Sequence, residues 1–476
     1  MPAFSLEPSQ TARCAELRTL AAERLRPLAE KGEPGRVNRP LIAELGRLGL
    51  LERLFTSGAL DLCLMRESLA RACTEAETAL ALQGLGAHPV HAHGTPAQRE
   101  RWLPAVSEGS AVAAFALSEP GAGSDAAALG LRAERESVGA GAAERESVGA
   151  GAAEREPVGP GAAKVGQAEA DAAVPGWRAE LKGAGAGSAA PGAGAAVPGW
   201  RAELKGDGAG SAAPGVRTER ETVPGAEAPA QPVAVPDGAS RWRLTGEKCW
   251  ISNAPEADFY TVFARTTPGA GARGVTAFLV PADRPGLTGS ALDMLSPHPI
   301  GALAFDAVPV GADDVLGEVD RGFRVAMDTL NLFRPSVGAF AVGMAQAALD
   351  ATLAHTAGRD AFGGKLRDLQ SVAHTVAEMA LRTDAARLMV YAAATAYDEG
   401  APDVPKRAAM AKLLATETAQ YVVDTAVQLH GARALQRGHL LEHLYREVRA
   451  PRIYEGASEV QRGIIAKELY ANPEAP

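Results

Sequence analysis

Leucines recur at three- and four-residue spacing near the start of the chain, first at Leu17, Leu20, Leu25 and Leu28, then at Leu41, Leu45, Leu48 and Leu51. That period lays one apolar stripe along each of two amphipathic helices. Pro104 and Gly109 interrupt the helical pattern. From Val112 to Leu117, and again from Trp242 to about Val280, it gives way to short β-rich runs such as Phe259-Tyr260-Thr261-Val262-Phe263 and Val275-Thr276-Ala277-Phe278-Leu279-Val280, which predict strands. After Gly317 helical spacing returns. Val337, Phe340, Met344 and Ala348 share one face, and Leu369, Val372, Val376 and Met379 another. Breaks at Gly358, at Gly400 to Pro405 and at Gly431 to Gly438 divide this stretch into four long antiparallel helices that should pack as a bundle. The expected fold is therefore α+β and multi-domain: N-terminal helices over 1–111, a β-rich middle over 112–316 and a helical bundle over 317–476.

One tract fits neither period. Glu-Arg-Glu-Ser-Val-Gly-Ala-Gly-Ala-Ala starts at Glu134, recurs at Glu144 and decays from Glu154, and the run Ala173 to Gly183 returns at Ala196 to Gly206. Tandem copies made of Gly, Ala and Pro bury too little apolar surface to offset the entropy of ordering, so residues 134–238 are expected to be a disordered insertion in the middle domain. Two copies with one tryptophan each do not make a solenoid. The 125 residues between Asp125 and Trp250 exceed what two neighbouring strands need, which places the insertion on a surface hairpin.

Charge and cysteine usage narrow the function classes. The chain has 476 residues with 48 Lys+Arg against 57 Asp+Glu, a net charge of −9, and no basic block interleaved with aromatics, so nucleic acid is not an expected partner. Cys14, Cys63, Cys73 and Cys249 are irregularly spaced with no Cys-x-x-Cys, the pattern of reduced thiols rather than of a zinc site. No membrane partner and a cytoplasmic location are expected, because no charged-then-apolar signal segment opens the chain and Glu7, Glu16 and Glu23 interrupt its early arginines. His88, His91 and His93, and the i, i+4 pair His439 and His443, lack acidic or cysteine partners at ligand spacing, so no metal is expected. Arg446, Arg449 and Arg452 suggest a helix face rather than an anion trap.

Three segments carry candidate chemistry. In Tyr454-Glu455-Gly456-Ala457-Ser458 the carboxylate of Glu455 stands in a loop before a helix predicted to begin at about Ser458, with Ser458 and Gln461 as a capping box. A carboxylate between an aromatic and a glycine suits a general base for a carbon acid; taken alone, an ordinary solvated loop glutamate is the better reading. Phe115-Ala116-Leu117-Ser118-Glu119-Pro120-Gly121-Ala122-Gly123-Ser124-Asp125 is a strand running into a Pro-Gly turn, where the hydroxyls of Ser118 and Ser124 suit the polar edge of a heterocycle or thioester. In Gly246 to Ala254, Trp250 could cover an aromatic ligand and Ser252 donate a hydrogen bond.

Taken together, and with Arg334-Pro335 opening a long helix, Arg359-Asp360-Ala361-Phe362-Gly363 through Gln370, and Gln428-Leu429-His430-Gly431, these segments resemble the acyl-CoA dehydrogenase family, in the family's order and over essentially the whole chain outside the insertion. The resemblance implies an N-terminal helical domain, a β-barrel-like middle domain and a C-terminal four-helix bundle, with FAD between the last two. It implies flavin-side roles for Phe115, Leu117, Ser118, Ser124, Trp250 and Ser252. Arg359, Phe362, Gln370, Gln428 and Gly431 would hold the adenine and diphosphate half across a subunit interface, making a homodimer or homotetramer part of the site. Glu455 would be the catalytic base, removing an acyl-CoA α-proton while the β-hydrogen leaves as hydride. Ser124, Asn331, Arg334, Tyr454 and Gly456 would contact the acyl-CoA, and electrons would pass to an electron-transferring flavoprotein or similar acceptor. An acyl-CoA oxidase and a non-catalytic binding subunit share the pattern. Two departures stand out: Gly431-Ala432-Arg433-Ala434 replaces a glycine-rich run, and Asn331 stands where the family often has an acidic residue.

Overall fold

A computed structural model describes residues 6–136 and 241–471; most of the repeat tract, and the expectation that it is disordered, lies outside the described residues. The chain opens with seven helices: α1 (Pro8–Leu20), α2 (Arg26–Ala29), α3 (Arg39–Arg47), α4 (Arg53–Thr56), α5 (Ala59–Ala72), α6 (Thr74–His93) and α7 (Pro96–Glu108). The leucine stripes become core. Leu17, Leu25, Leu41, Leu45 and Leu51 are all buried.

The middle of the chain forms one sheet from β1 (Ala113–Ala116), β2 (Arg132–Arg135), β3 (Arg241–Ser252), β4 (Phe259–Arg265), β5 (Val275–Pro281), β6 (Leu287–Ala291), β7 (Ile300–Gly311) and β8 (Val315–Leu316). Its order is β6-β7-β3-β2-β4-β5-β8, with β1 parallel on β4. β4 and β5 are nearly all buried residues, so they occur as continuous apolar runs without alternation. β2 and β3 pair antiparallel with Glu134 opposite Arg243 and Arg135 opposite Trp242, so these two residues, expected at the start of the disordered insertion, are strand instead, because the β3 ladder extends over them.

Five further helices follow: α8 (Gly322–Gly358), then, beyond a two-stranded hairpin of β9 (Asp360–Ala361) and β10 (Gly364–Lys365), α9 (Gln370–Asp398), α10 (Val404–His430), α11 (Leu440–Glu447) and α12 (Ser458–Ala471). Three of these are long, and the fourth member on α10 is the shorter α12. Arg334-Pro335 does not open a helix: α8 starts at Gly322 and carries Pro335 inside it. The apolar stripe on both sides of the proline outweighs its lost hydrogen bond, which leaves the Asn331 carbonyl without an intrahelical donor. Gly343 lets α5 approach α8, since a Cβ there would lie 2.5 Å from the Glu67 carbonyl oxygen. Among the described residues α8 alone is long and apolar enough to cross a membrane, yet 72% of its most apolar window is buried inside the fold.

Candidate active site

Glu455 occupies the loop between the Ala450–Arg452 turn and α12 with a left-handed backbone, φ 52°, and Gly456 follows at φ 95°. A non-glycine residue held there stores about 1–3 kcal/mol of strain, so the surroundings must impose it. They do so through three side chains. Arg334 Nε donates to the Glu455 carbonyl at 3.2 Å, Lys412 Nζ donates to the Gly456 carbonyl at 2.7 Å, and Gln461 Nε2 donates to both at 3.1 and 2.9 Å. α12 begins at Ser458 as expected, but for a different reason: Ser458 Oγ donates to Glu417 at 2.6 Å, and the Gln461 amide is taken by the loop. The proposed capping box is therefore a loop clamp.

The Glu455 carboxyl is itself less satisfied than its backbone, because Oε2 is enclosed with no hydrogen-bond partner. Burial raises its proton affinity above the ordinary carboxylate value, and Arg66, Lys412 and Arg334 each pull it back. Lys412 is pushed down to about 8 by burial, partly opposed by Glu455. A carboxylate whose pKa is raised by desolvation holds a proton more strongly than an exposed one, which suits a general base. Arg334 is buried, and Asn331 Oδ1 makes only a long 3.5 Å contact with its Nη1.

A second group forms on the sheet. The Cys249 N–H donates to the Ser118 carbonyl at 3.0 Å, tying the Pro-Gly turn to the tryptophan strand. Beneath it Lys248, fully buried, donates to the Leu117 carbonyl at 2.9 Å and to Glu119 Oε1 at 2.7 Å, while Glu119 accepts the N–H of Leu131 at 3.0 Å. In β3 the inward positions run Trp242, Leu244 and Lys248, then shift to Ile251 across a register break. That bulge turns Trp250 outward at φ 58°, leaving its indole 48% exposed. Ser118 and Ser252 are half-buried and Ser124 exposed, whereas Leu117 is buried and Phe115 packs on Phe263 at 4.9 Å.

The third group lies at one end of the bundle. Arg359 caps α8, Gln370 opens α9, Gly431 caps α10, and stacked His355 and His430, 4.2 Å apart, join the α8 and α10 ends. Arg359, Phe362, Gln370, Gln428 and Gly431 are exposed, Phe362 to 90%. Within this chain the Ala434 methyl is buried in the core, and Ala432 and Arg433 are exposed. The histidines form no metal site among the described residues: His443 Nε2 lies 2.6 Å from Thr74 Oγ1, and His439 Nδ1 accepts the Leu441 N–H at 3.1 Å. Arg446 and Arg452 are engaged by Glu442 and Glu417.

Sequence reasoning missed Arg66, Glu77, Lys412 and Lys248. A signal existed for two of them. Lys412 interrupts the alanine face of Ala408, Ala411 and Ala415, and Lys248 falls on the inward parity of β3. Arg66 and Glu77 lie on separate helices, and nothing in the chain's order marks their meeting.

N-terminal helices, a middle sheet and a C-terminal helical bundle, with a desolvated loop carboxylate on the bundle and an outward indole on the sheet, define a multi-domain α+β architecture. The chain belongs to the acyl-CoA dehydrogenase family: models of that family's N-terminal, middle and C-terminal domains match residues 7–110, 216–308 and 320–470. It is 36% identical over 255 residues to the probable acyl-CoA dehydrogenase fadE25 of Mycobacterium tuberculosis (strain CDC 1551 / Oshkosh), an alignment spanning 53% of this chain and 65% of that relative. It is 28% identical over 466 residues to the cyclohexane-1-carbonyl-CoA dehydrogenase of Geobacter metallireducens, spanning 95% of each. Among solved structures, butyryl-CoA dehydrogenase from Megasphaera elsdenii superposes with a TM-score of 0.72 at 25% identity, over 98% of this chain and 100% of that one. A chain from a structure of the electron transferring flavoprotein of Acidaminococcus fermentans matches equally, with a TM-score of 0.72 at 25% identity, covering 98% of this chain and 99% of that one.

Proposed function

We propose that this protein is an FAD-dependent acyl-CoA dehydrogenase that converts an acyl-CoA thioester to its trans-2-enoyl-CoA. The observation that carries the reading is Glu455, a strained, desolvated carboxylate with a free Oε2 on a loop clamped from two bundle helices and α12. Glu455 takes the α-proton, and the β C–H pair leaves as hydride. When bound, FAD supplies the acceptor for that hydride. Ser118, Trp250 and Ser252 would meet its ring, and the outward indole and half-buried hydroxyls fit a planar polar heterocycle. Tyr454, Gly456, Asn331, Arg334 and Ser124 would line the thioester's path.

Arg359, Phe362, Gln370, Gln428 and Gly431 would hold the adenine and diphosphate half, where a fixed guanidinium suits a diphosphate. Along α8, Arg334 and Arg359 are 359 − 334 = 25 residues apart, about 37 Å at the helical rise. That separation supports a homodimer or homotetramer in which a second copy brings its bundle end to this copy's flavin. The similarity to a chain from an electron transferring flavoprotein structure supports such a protein as the electron acceptor. Four unpaired cysteines support a reducing, cytoplasmic setting.

The test is anaerobic titration of the purified protein with acyl-CoAs from short linear to branched and cyclic. Bleaching of a yellow protein by at least one of them is expected, with Glu455→Gln losing about 10²–10⁴-fold in rate. A colourless protein, no bleaching across the panel, or full turnover by Glu455→Gln would overturn the reading.

A further inference from the structure

Arg334 and Lys412 hold the backbone of the Glu455 loop, and a third cation acts on its carboxyl from outside the bundle. Arg66, on α5, is 3% exposed and ion-paired through Nε to Glu77 of α6, which is fully buried. Its Nη1 donates to Ser336 Oγ at 2.6 Å, and that hydroxyl donates to the Phe333 carbonyl at 2.8 Å. Phe333 and Ser336 flank Arg334 in the same turn of α8, the turn that holds the Glu455 carbonyl. A buried ion pair is often no more stable than a well-packed apolar pair, so its presence beside a reactive carboxylate calls for a role beyond stability.

We propose that Arg66 is a positioning residue for the base: clamped by Glu77 and Ser336, its guanidinium anchors the α8 turn whose Arg334 holds the Glu455 loop, and brings a buried positive charge to that side of the site. The inference rests on Glu455 being the base. The cations facing Glu455 are Arg66 from α5, Arg334 from α8 and Lys412 from α10, and the neutral Tyr454 phenol stands beside it on its own loop. Behind Arg66 stand Glu77 and then the His298–Glu447 pair. Arg66, like Lys412 and Arg334, lowers the proton affinity of Glu455, and Glu77 and Glu455 together keep the guanidinium charged. Glu77 therefore partly neutralises the charge that Glu455 feels. Loss of Arg66 and loss of Glu77 should therefore move the base in opposite directions.

The experiment uses the holoenzyme and a 3-thia-acyl-CoA, which has α-hydrogens but no β-hydrogen to lose. Exchange of its α-protons with solvent deuterium, followed by NMR against pH, reports the base without any redox step. Arg66→Met should move the acid limb of that profile up by about one pH unit, Glu77→Gln should move it down, and Arg66→Lys should leave it near wild type. An unmoved limb in folded variants, or movement of both in the same direction, overturns the proposal. Should Arg66→Met not fold, the isosteric Glu77→Gln decides alone, since a downward shift supports the proposal and any other result overturns it. Failure of the parent reading looks different: wild type would not exchange, or Glu455→Gln would exchange as fast.

Discussion

At the scale of single residues, the site depends on two adjacent left-handed positions, Glu455 and Gly456. A Cβ on Gly456 would stand 2.4 Å from Gln461 Nε2, the amide that clamps the loop, at a φ that side chains avoid. Gly456→Ala should therefore displace the base and lower kcat by about 10²-fold with flavin content unchanged, as steady-state kinetics and the visible spectrum would show. The pH dependence has a definite sign. Burial raises the Glu455 pKa above the ordinary carboxylate value, and a base must be ionised, so activity is lost as pH falls through that raised value. Tyr454-Glu455-Gly456 was legible in the sequence as a candidate base in a loop. Its desolvation was not, because Arg66, Arg334 and Lys412 reach it from three different helices.

At the scale of elements, register breaks and interrupted helices place the functional groups. The β3 bulge turns Trp250 out while Lys248 stays in, something local hydrophobic patterning could not show because the frame shifts mid-strand. α8 runs through Pro335, so the sequence signal for a helix start was really a point inside a helix. Away from the site, His298 before β7 meets Glu447 of α11 at 2.5 Å, with both groups held charged: the pairing raises His298 and lowers Glu447. Stability from the raised histidine is fully present below its unfolded pKa and is lost as pH rises through the folded value. Stability from the lowered glutamate is present above its unfolded pKa and is lost as pH falls through the folded value. The pair therefore counts most between about pH 4.3 and 6.5. Relative to wild type, a His298→Gln, Glu447→Gln double variant should lose about 2 kcal/mol near pH 5.5 and less near pH 9, measured by urea unfolding.

At the scale of the whole molecule, the repeat tract and the cofactor groups pose separate questions. Glu136 N–H donates to the Arg241 carbonyl at 2.9 Å, so β2 and β3 are already poised as a hairpin. Replacing residues 137–240 by Asn-Gly, the preferred two-residue hairpin turn, should leave melting temperature and acyl-CoA turnover near wild type. A large loss of either would assign the tract a role in the fold or the reaction. The order of helices, strands and helices was legible because apolar periodicity changes at Val112 and again after Gly317. The candidate residues were legible as short segments, each uninformative alone and specific only in order.

The sequence by itself determined the order of helices and strands and the family, and it singled out Glu455 as the candidate carboxylate, because these depend on local period and short-range residue order. Only the tertiary structure decided which groups act on one another. It placed Arg66 and Glu77 behind the base, turned Trp250 outward, made Gln461 a clamp rather than a cap, and set Arg359 a bundle's length from Glu455. The physical reason is that desolvation and charge depend on what folds alongside a residue, and those neighbours come from helices and strands far apart in the chain.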